Sequence, residues 1–173
     1  ESSGNITSHW RRAELFYRAG FDVFMYDYRG YGKSSGVANT STLVNDALAA
    51  DRCARTRLPI DTNHVVHYGH GHGAAGAVAC AYRTATTHII LESANALFGR
   101  TTSALSLTSV PTLIIHGEND NRYPISAHGD VLYHVARQPK NVVRVRNAGT
   151  DNIPEQMGVQ AYVDLIVTFV RGM

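Results

Sequence analysis

The sequence predicts an α/β fold: a mostly parallel sheet of about five strands with helices on both faces. Three observations carry this. Short apolar runs alternate with helical patterns along the whole chain, the intervening segments are long enough for crossover helices, and glycine-rich turns follow several of the apolar runs. Residues 8–19 place Trp10, Leu15, Phe16 and Ala19 on one helical face, closed by Gly20. FDVFMYD (21–27) reads as a strand, followed by the loop YRGYGKSSG and a helix over 41–57 capped by Thr40 or Ser41. VVHYG (65–69) is the next strand, and 74–84 its helix. THIILES (87–93) is a third strand, TLIIHG (112–117) a fourth behind Pro111, and NVVRV (141–145) a fifth. Helices over 125–137 and 155–170 complete the pattern, the last with Val159, Tyr162, Val163, Ile166 and Phe169 on one side.

Composition narrows the class. The 173 residues suit one domain, and 44% hydrophobic with 17% charged residues is the balance of a chain that buries a core. A net charge of +2 with dispersed Lys and Arg argues against a nucleic-acid partner. No apolar run approaches the roughly 20 residues of a membrane span. Cys53 and Cys80 lie far apart within predicted helices, which suits two thiols better than a disulfide and points to a reducing compartment. Glu1 opens no charged and apolar leader.

The most informative stretch is YGHGHGAAGA, residues 68–77. A strand runs into it and an alanine-rich helix leaves it. This is the setting of the G-x-S-x-G nucleophile elbow, in which flanking glycines allow a sharp turn and the central serine is presented at the head of a helix. The five positions here are Gly69, His70, Gly71, His72 and Gly73. The glycines are in place and the serine is not.

FDVFMYDYRGYGKSSG, this elbow, IILES and PTLIIHGENDNRYPIS, in that order, resemble the α/β-hydrolase superfamily, nearest to small serine hydrolases that include acyl-thioesterases. The resemblance implies a serine nucleophile, a histidine base, an aspartate that orients it, and backbone N–H groups for the oxyanion. Carried over position by position, the acid falls on Asp120, the nucleophile on Gly71, and the base on Thr150 within NAGTDN. Two of the three positions are then chemically vacant. The family's lid is reduced to residues 94–110. SSGNI, beginning at Ser2, resembles the loop after the family's third strand, so either 21–27 and 65–69 pair directly or a partner polypeptide or an upstream segment completes the sheet between them.

His70 and His72 flank the turn and are expected to point away from the nucleophile's site, packed or solvated. Together with His116 and Asp120 they offer imidazole and carboxylate for a zinc ion, but H-x-H alone is no metal motif. The glycine-rich loop lacks phosphate-loop spacing and is expected to be structural, tied by Asp27 and Arg29. The sequence requires no cofactor and no metal. The expectation is a pseudo-hydrolase with a structural or interaction role; the alternatives are an ester or thioester hydrolase acting through a non-standard site, and a fragment without selected activity. Fold likeness does not choose among them.

Overall fold

The computed structural model describes residues 4–172; Ser2 lies outside them. In chain order the elements are α1 (Ile6–Arg18), α2 (Thr40–Arg57), β1 (Val66–His70), α3 (Gly73–Arg83), β2 (His88–Glu92), α4 (Thr101–Leu105), β3 (Thr112–Gly117), α5 (Gly129–Val135), β4 (Lys140–Val145), α6 (Ile153–Met157) and α7 (Val159–Arg171). The four strands form one parallel sheet in the order β1-β2-β3-β4. All six residues of β3, TLIIHG, are buried, as an apolar run covered on both faces requires.

Alternate residues of the strands supply two cores. Ile89, Leu91 and Ile114 pack with α3, α4 and α5 through Ala74, Val78, Leu105 and Leu132. Ile90, Leu113 and Ile115 pack on the other side with Tyr162 and Ile166 of α7, Ile153 of α6, and Leu15 and Phe16 of α1. Helix starts are specified locally. Asn5 and Asn39 cap α1 and α2, each accepting from backbone N–H groups of the first turn while the third residue's hydroxyl accepts from the cap N–H. No described helix is long and apolar enough to cross a membrane.

Four strands are observed where five were expected. Residues 21–28 form no assigned element, and among the described residues they pair with no strand. Their side chains still alternate as in a strand: Phe21 joins the core beside α1 and α7, whereas the Tyr26 and Tyr28 hydroxyls lie near Gly76 of α3. Alternation reports burial on two faces, not the presence of a backbone partner. The helix expected over 155–170 is interrupted at Gly158, whose φ of +87° separates α6 from α7. In the glycine-rich loop, Arg29 pairs with Asp46 of α2, while Asp27 accepts from the Ile6 N–H at 2.8 Å.

The second core contains a charge pair. Arg12 Nη2 lies 2.6 Å from Glu92 Oε1, whose side chain is wholly buried; Tyr162 donates to the other carboxylate oxygen. Burial first and the neighbouring carboxylate second raise the Tyr162 pKa, keeping it a donor. Replacing only Arg12 (Arg12→Met) strands a buried carboxylate and is expected to lower stability by about 3 kcal/mol or more, read as a fall in the urea midpoint. Arg12→Met with Glu92→Leu should recover much of it.

Candidate functional site

The turn between β1 and α3 is built by two glycines for different reasons. A Cβ on Gly69 would sit 2.6 Å from Ala74 Cα, because the helix rests directly on the strand end. Gly71 has φ +55°, a left-handed conformation that strains other L-residues by roughly 1–2 kcal/mol. Its N–H donates to Glu92 O at 3.1 Å and its carbonyl accepts from Asn95 N at 3.0 Å. The turn is thereby fixed to the end of β2. A Cβ on Gly71 would point at Tyr123, 3.4 Å from Cε2 and 3.7 Å from the hydroxyl oxygen.

Tyr123 is buried and belongs to an aromatic group over the turn. The His72 ring stacks on Phe98 at 4.0 Å between centroids and lies 5.8 Å from Tyr123, which meets His128 edge-on at 5.5 Å. His128 Nδ1 accepts from Ala96 N at 3.2 Å, so residues 94–98 are held against the same group.

Asp120 stands just beyond β3 and is buried. Its Oδ1 accepts from Arg122 N at 2.9 Å, Tyr123 N at 2.8 Å and the Thr150 hydroxyl at 2.6 Å. Its Oδ2 is 3.6 Å from His116 Nε2, but that ring nitrogen donates to Tyr123 O at 2.7 Å. Thr150 comes from the loop after β4. The structure therefore brings Gly71, Asp120 and Thr150 around Tyr123, and the group bonded to the carboxylate is a hydroxyl.

The two flanking histidines are placed differently. His72 turns toward Tyr123, the ring that a side chain on Gly71 would meet. It has already left the strand and stands at the start of α3 with helical φ and ψ, so strand alternation no longer governs it. His70 Nε2 lies 2.9 Å from Thr150 O; a carbonyl only accepts, so the ring donates there. Among the described residues no three His, Cys, Asp or Glu side chains are grouped to hold a metal ion. Tyr123, Phe98 and His128 were not singled out in the sequence. The usable signal was local: Asp120 two and three residues before backbone N–H groups that it can cap.

Other polar groups lie apart from this arrangement. Thr86 Oγ1, His67 and Asp51 form a hydroxyl, imidazole and carboxylate chain with both contacts at 3.0 Å, and Asp51 is also held by Arg55. It joins β1, α2 and the turn after α3. Nearer the elbow, Ser93, next to Glu92, has φ +42° and is fully buried. Burial pushes the Cys80 thiol up to about 12, which leaves it protonated.

The profile of the family Serine aminopeptidase, S33 matches residues 6–97. Among curated proteins, alpha/beta hydrolase domain-containing protein 17B of Xenopus laevis is 32% identical over 152 residues, covering 79% of this chain and 52% of its own length. The uncharacterized protein YfhR of Escherichia coli K12 is 26% identical over 166 residues, covering 83% of this chain and 58% of its own length. The chain thus spans little more than half the length of these relatives. Among solved structures, a bromoperoxidase from Bacillus anthracis superposes with a TM-score of 0.80 at 14% identity, covering 99% of this chain and 89% of its own. An esterase from Pyrococcus furiosus gives 0.81 at 13% identity, covering 99% and 78%. At such identities the structural likeness concerns the fold.

Thr150→Val keeps the shape and removes the donor to a buried carboxylate. A loss of about 1–3 kcal/mol is expected in urea unfolding. A second expectation concerns pH. Burial, first among the causes, lowers the pKa of both His116 and His128. A folded pKa below the unfolded value means that stability is present above about 6.5 and lost as pH falls through the folded values. Urea midpoints measured from pH 8 to pH 5 should therefore decline on the acid side.

Proposed function

Because the chain belongs to the α/β-hydrolase superfamily and, within it, to the serine aminopeptidase S33 family, while its elbow carries glycine, we propose that it is a catalytically degenerate hydrolase domain with a structural or interaction role. The observation that carries this reading is the Thr150 hydroxyl bonded to Asp120 at 2.6 Å, with Gly71 across the Tyr123 ring. Acyl transfer needs an attacking oxygen and a base that accepts its proton near neutral pH. Gly71 offers no oxygen, and threonine is not such a base. His70 Nε2 donates to Thr150 O, so that nitrogen does not accept a proton.

The substitutions also fit a turn retained for its shape. Gly71 adopts φ +55° without a side-chain penalty, and Thr150 gives Asp120 a hydrogen-bond donor. Asp120 then serves as a tie for the loops after β3 and β4. The partner polypeptide expected to complete the sheet belongs to the same reading.

A fluorophosphonate probe tests the proposal. The chain is expected to remain unlabelled, as is Gly71→Ser alone, because that serine lacks an imidazole. Gly71→Ser combined with Thr150→His is the variant expected to gain label. Labelling of the unmodified chain at any serine, or turnover of a p-nitrophenyl ester lost on Asp120→Ala, would instead support a hydrolase acting through a non-standard site.

A further inference from the structure

His128 joins two distant parts of the chain through one ring nitrogen. It stands at the start of α5, and its Nδ1 lies 3.2 Å from the backbone nitrogen of Ala96, with both residues buried. A backbone N–H only donates, so Nδ1 accepts and carries no proton; the ring is neutral, with its hydrogen on Nε2. A second ring proton sets donor against donor there and leaves a buried amide without its acceptor.

Among the described residues, the other hydrogen bonds of 96–98 are local. The Leu97 N–H donates to Asn95 Oδ1 at 2.9 Å, and the Phe98 carbonyl accepts from the Thr101 N–H at 3.4 Å and from its hydroxyl at 2.6 Å. Asn95 N is fixed to Gly71 O, and from there the strap crosses the elbow until the Phe98 ring rests on His72. The bond to His128 therefore holds the strap to the body of the domain, together with the packing of Ala96 and Phe98.

The ring sits among other titratable and charged groups. α5 packs against β3, β4 and α4. β3 brings His116 and, just beyond it, Asp120 and Tyr123. β4 brings Arg144, paired with Asp130 of α5, and Lys140, bonded to the Tyr133 carbonyl. α4, TTSAL, brings no ionisable side chain, and His72 lies across Tyr123. Burial, the largest cause, lowers the His128 pKa; His116 lowers it further, and Asp120 opposes both.

We propose that His128 is an acid-sensitive latch: neutral, it holds 96–98 over the elbow; protonated, it releases that strap and opens the turn at Gly71 to water while the sheet stays folded. In the open strap the ring returns to its ordinary pKa of about 6.5, and in the closed strap it is held below that. Closure is complete above about 6.5 and is lost as pH falls through the closed-state value, by up to about tenfold per pH unit.

Amide hydrogen exchange of the purified chain between pH 8 and pH 5, divided into the intrinsic rate at each pH, tests this. Ala96 is expected to be less protected than Ile114 of β3, and its protection should fall below pH 6.5 with the slope of one proton. His128→Asn keeps an acceptor that does not titrate, so the slope should vanish and the protection at pH 8 remain. His128→Phe keeps a ring against Tyr123 without an acceptor, so Ala96 should exchange about tenfold faster at every pH, again without a slope. In the unaltered chain, the His128 ring and the Ala96 amide should titrate together by NMR, with Nδ1 bare at pH 7. The inference is overturned if Ala96 and Ile114 are equally protected at every pH, because release is then global unfolding. It is equally overturned if the slope persists in His128→Asn, or if Nδ1 carries the proton at pH 7. Fluorophosphonate labelling reads the elbow's chemistry and not this latch, so either result stands without the other.

Discussion

The arrangement depends on Glu92. Its carboxylate holds Arg12 of α1 and Tyr162 of α7, and its backbone carbonyl accepts from Gly71 N. A buried carboxylate must keep its partners, because an unpaired charge in a low-dielectric interior is far more costly than the pair. The requirement fixes where α1 and α7 sit relative to the end of β2. Since the backbone carbonyl of the same residue accepts from the turn after β1, the elbow is tied to the strand end that carries the ion pair, independently of what the elbow carries.

That independence explains how a hydrolase scaffold can persist with glycine at its sharpest turn. The turn is specified by close approach at Gly69, by left-handed backbone at Gly71, and by hydrogen bonds to Glu92 and Asn95. None involves a side chain at position 71. A serine there would add strain to be maintained by the surroundings, whereas glycine removes it. Tyr123, His72, Phe98 and His128 form a packed aromatic group above the turn, consistent with an element kept for packing.

Much of this was legible in the sequence. The strands at 65–69, 87–93, 112–117 and 141–145 were visible because apolar runs bounded by turns report local burial. The elbow was visible because a strand, spaced glycines and a small-residue helix are all local. A gap beside 21–27 is expected from the sequence, but that 21–28 forms no strand among the described residues is not, since the alternation of Phe21, Tyr26 and Tyr28 is the same with or without a backbone partner. The aromatic group over Gly71 was equally hidden: His72, Phe98, Tyr123 and His128 come from four separate stretches, and only folding brings them together. Strand alternation does not place His72, which stands past the strand's end at the start of α3.

Contact geometry alone does not make a catalytic site, and the chain contains its own demonstration. Thr86, His67 and Asp51 align hydroxyl, imidazole and carboxylate at hydrogen-bond distances. Arg55 pairs with the same carboxylate and also donates to the Ala85 carbonyl, so the chain ties α2 to β1 and to the turn after α3. Burial, the largest cause, lowers the His67 pKa despite the neighbouring carboxylate. The neutral ring satisfies both neighbours, with Nε2–H donating to Asp51 and Nδ1 accepting from Thr86. In the function proposed for the elbow the converse holds: glycine and threonine stand where a nucleophile and a base would be needed, so no pair there can move a proton. What separates a structural tie from a reactive set is a nucleophile presented to a substrate and a base free to receive its proton.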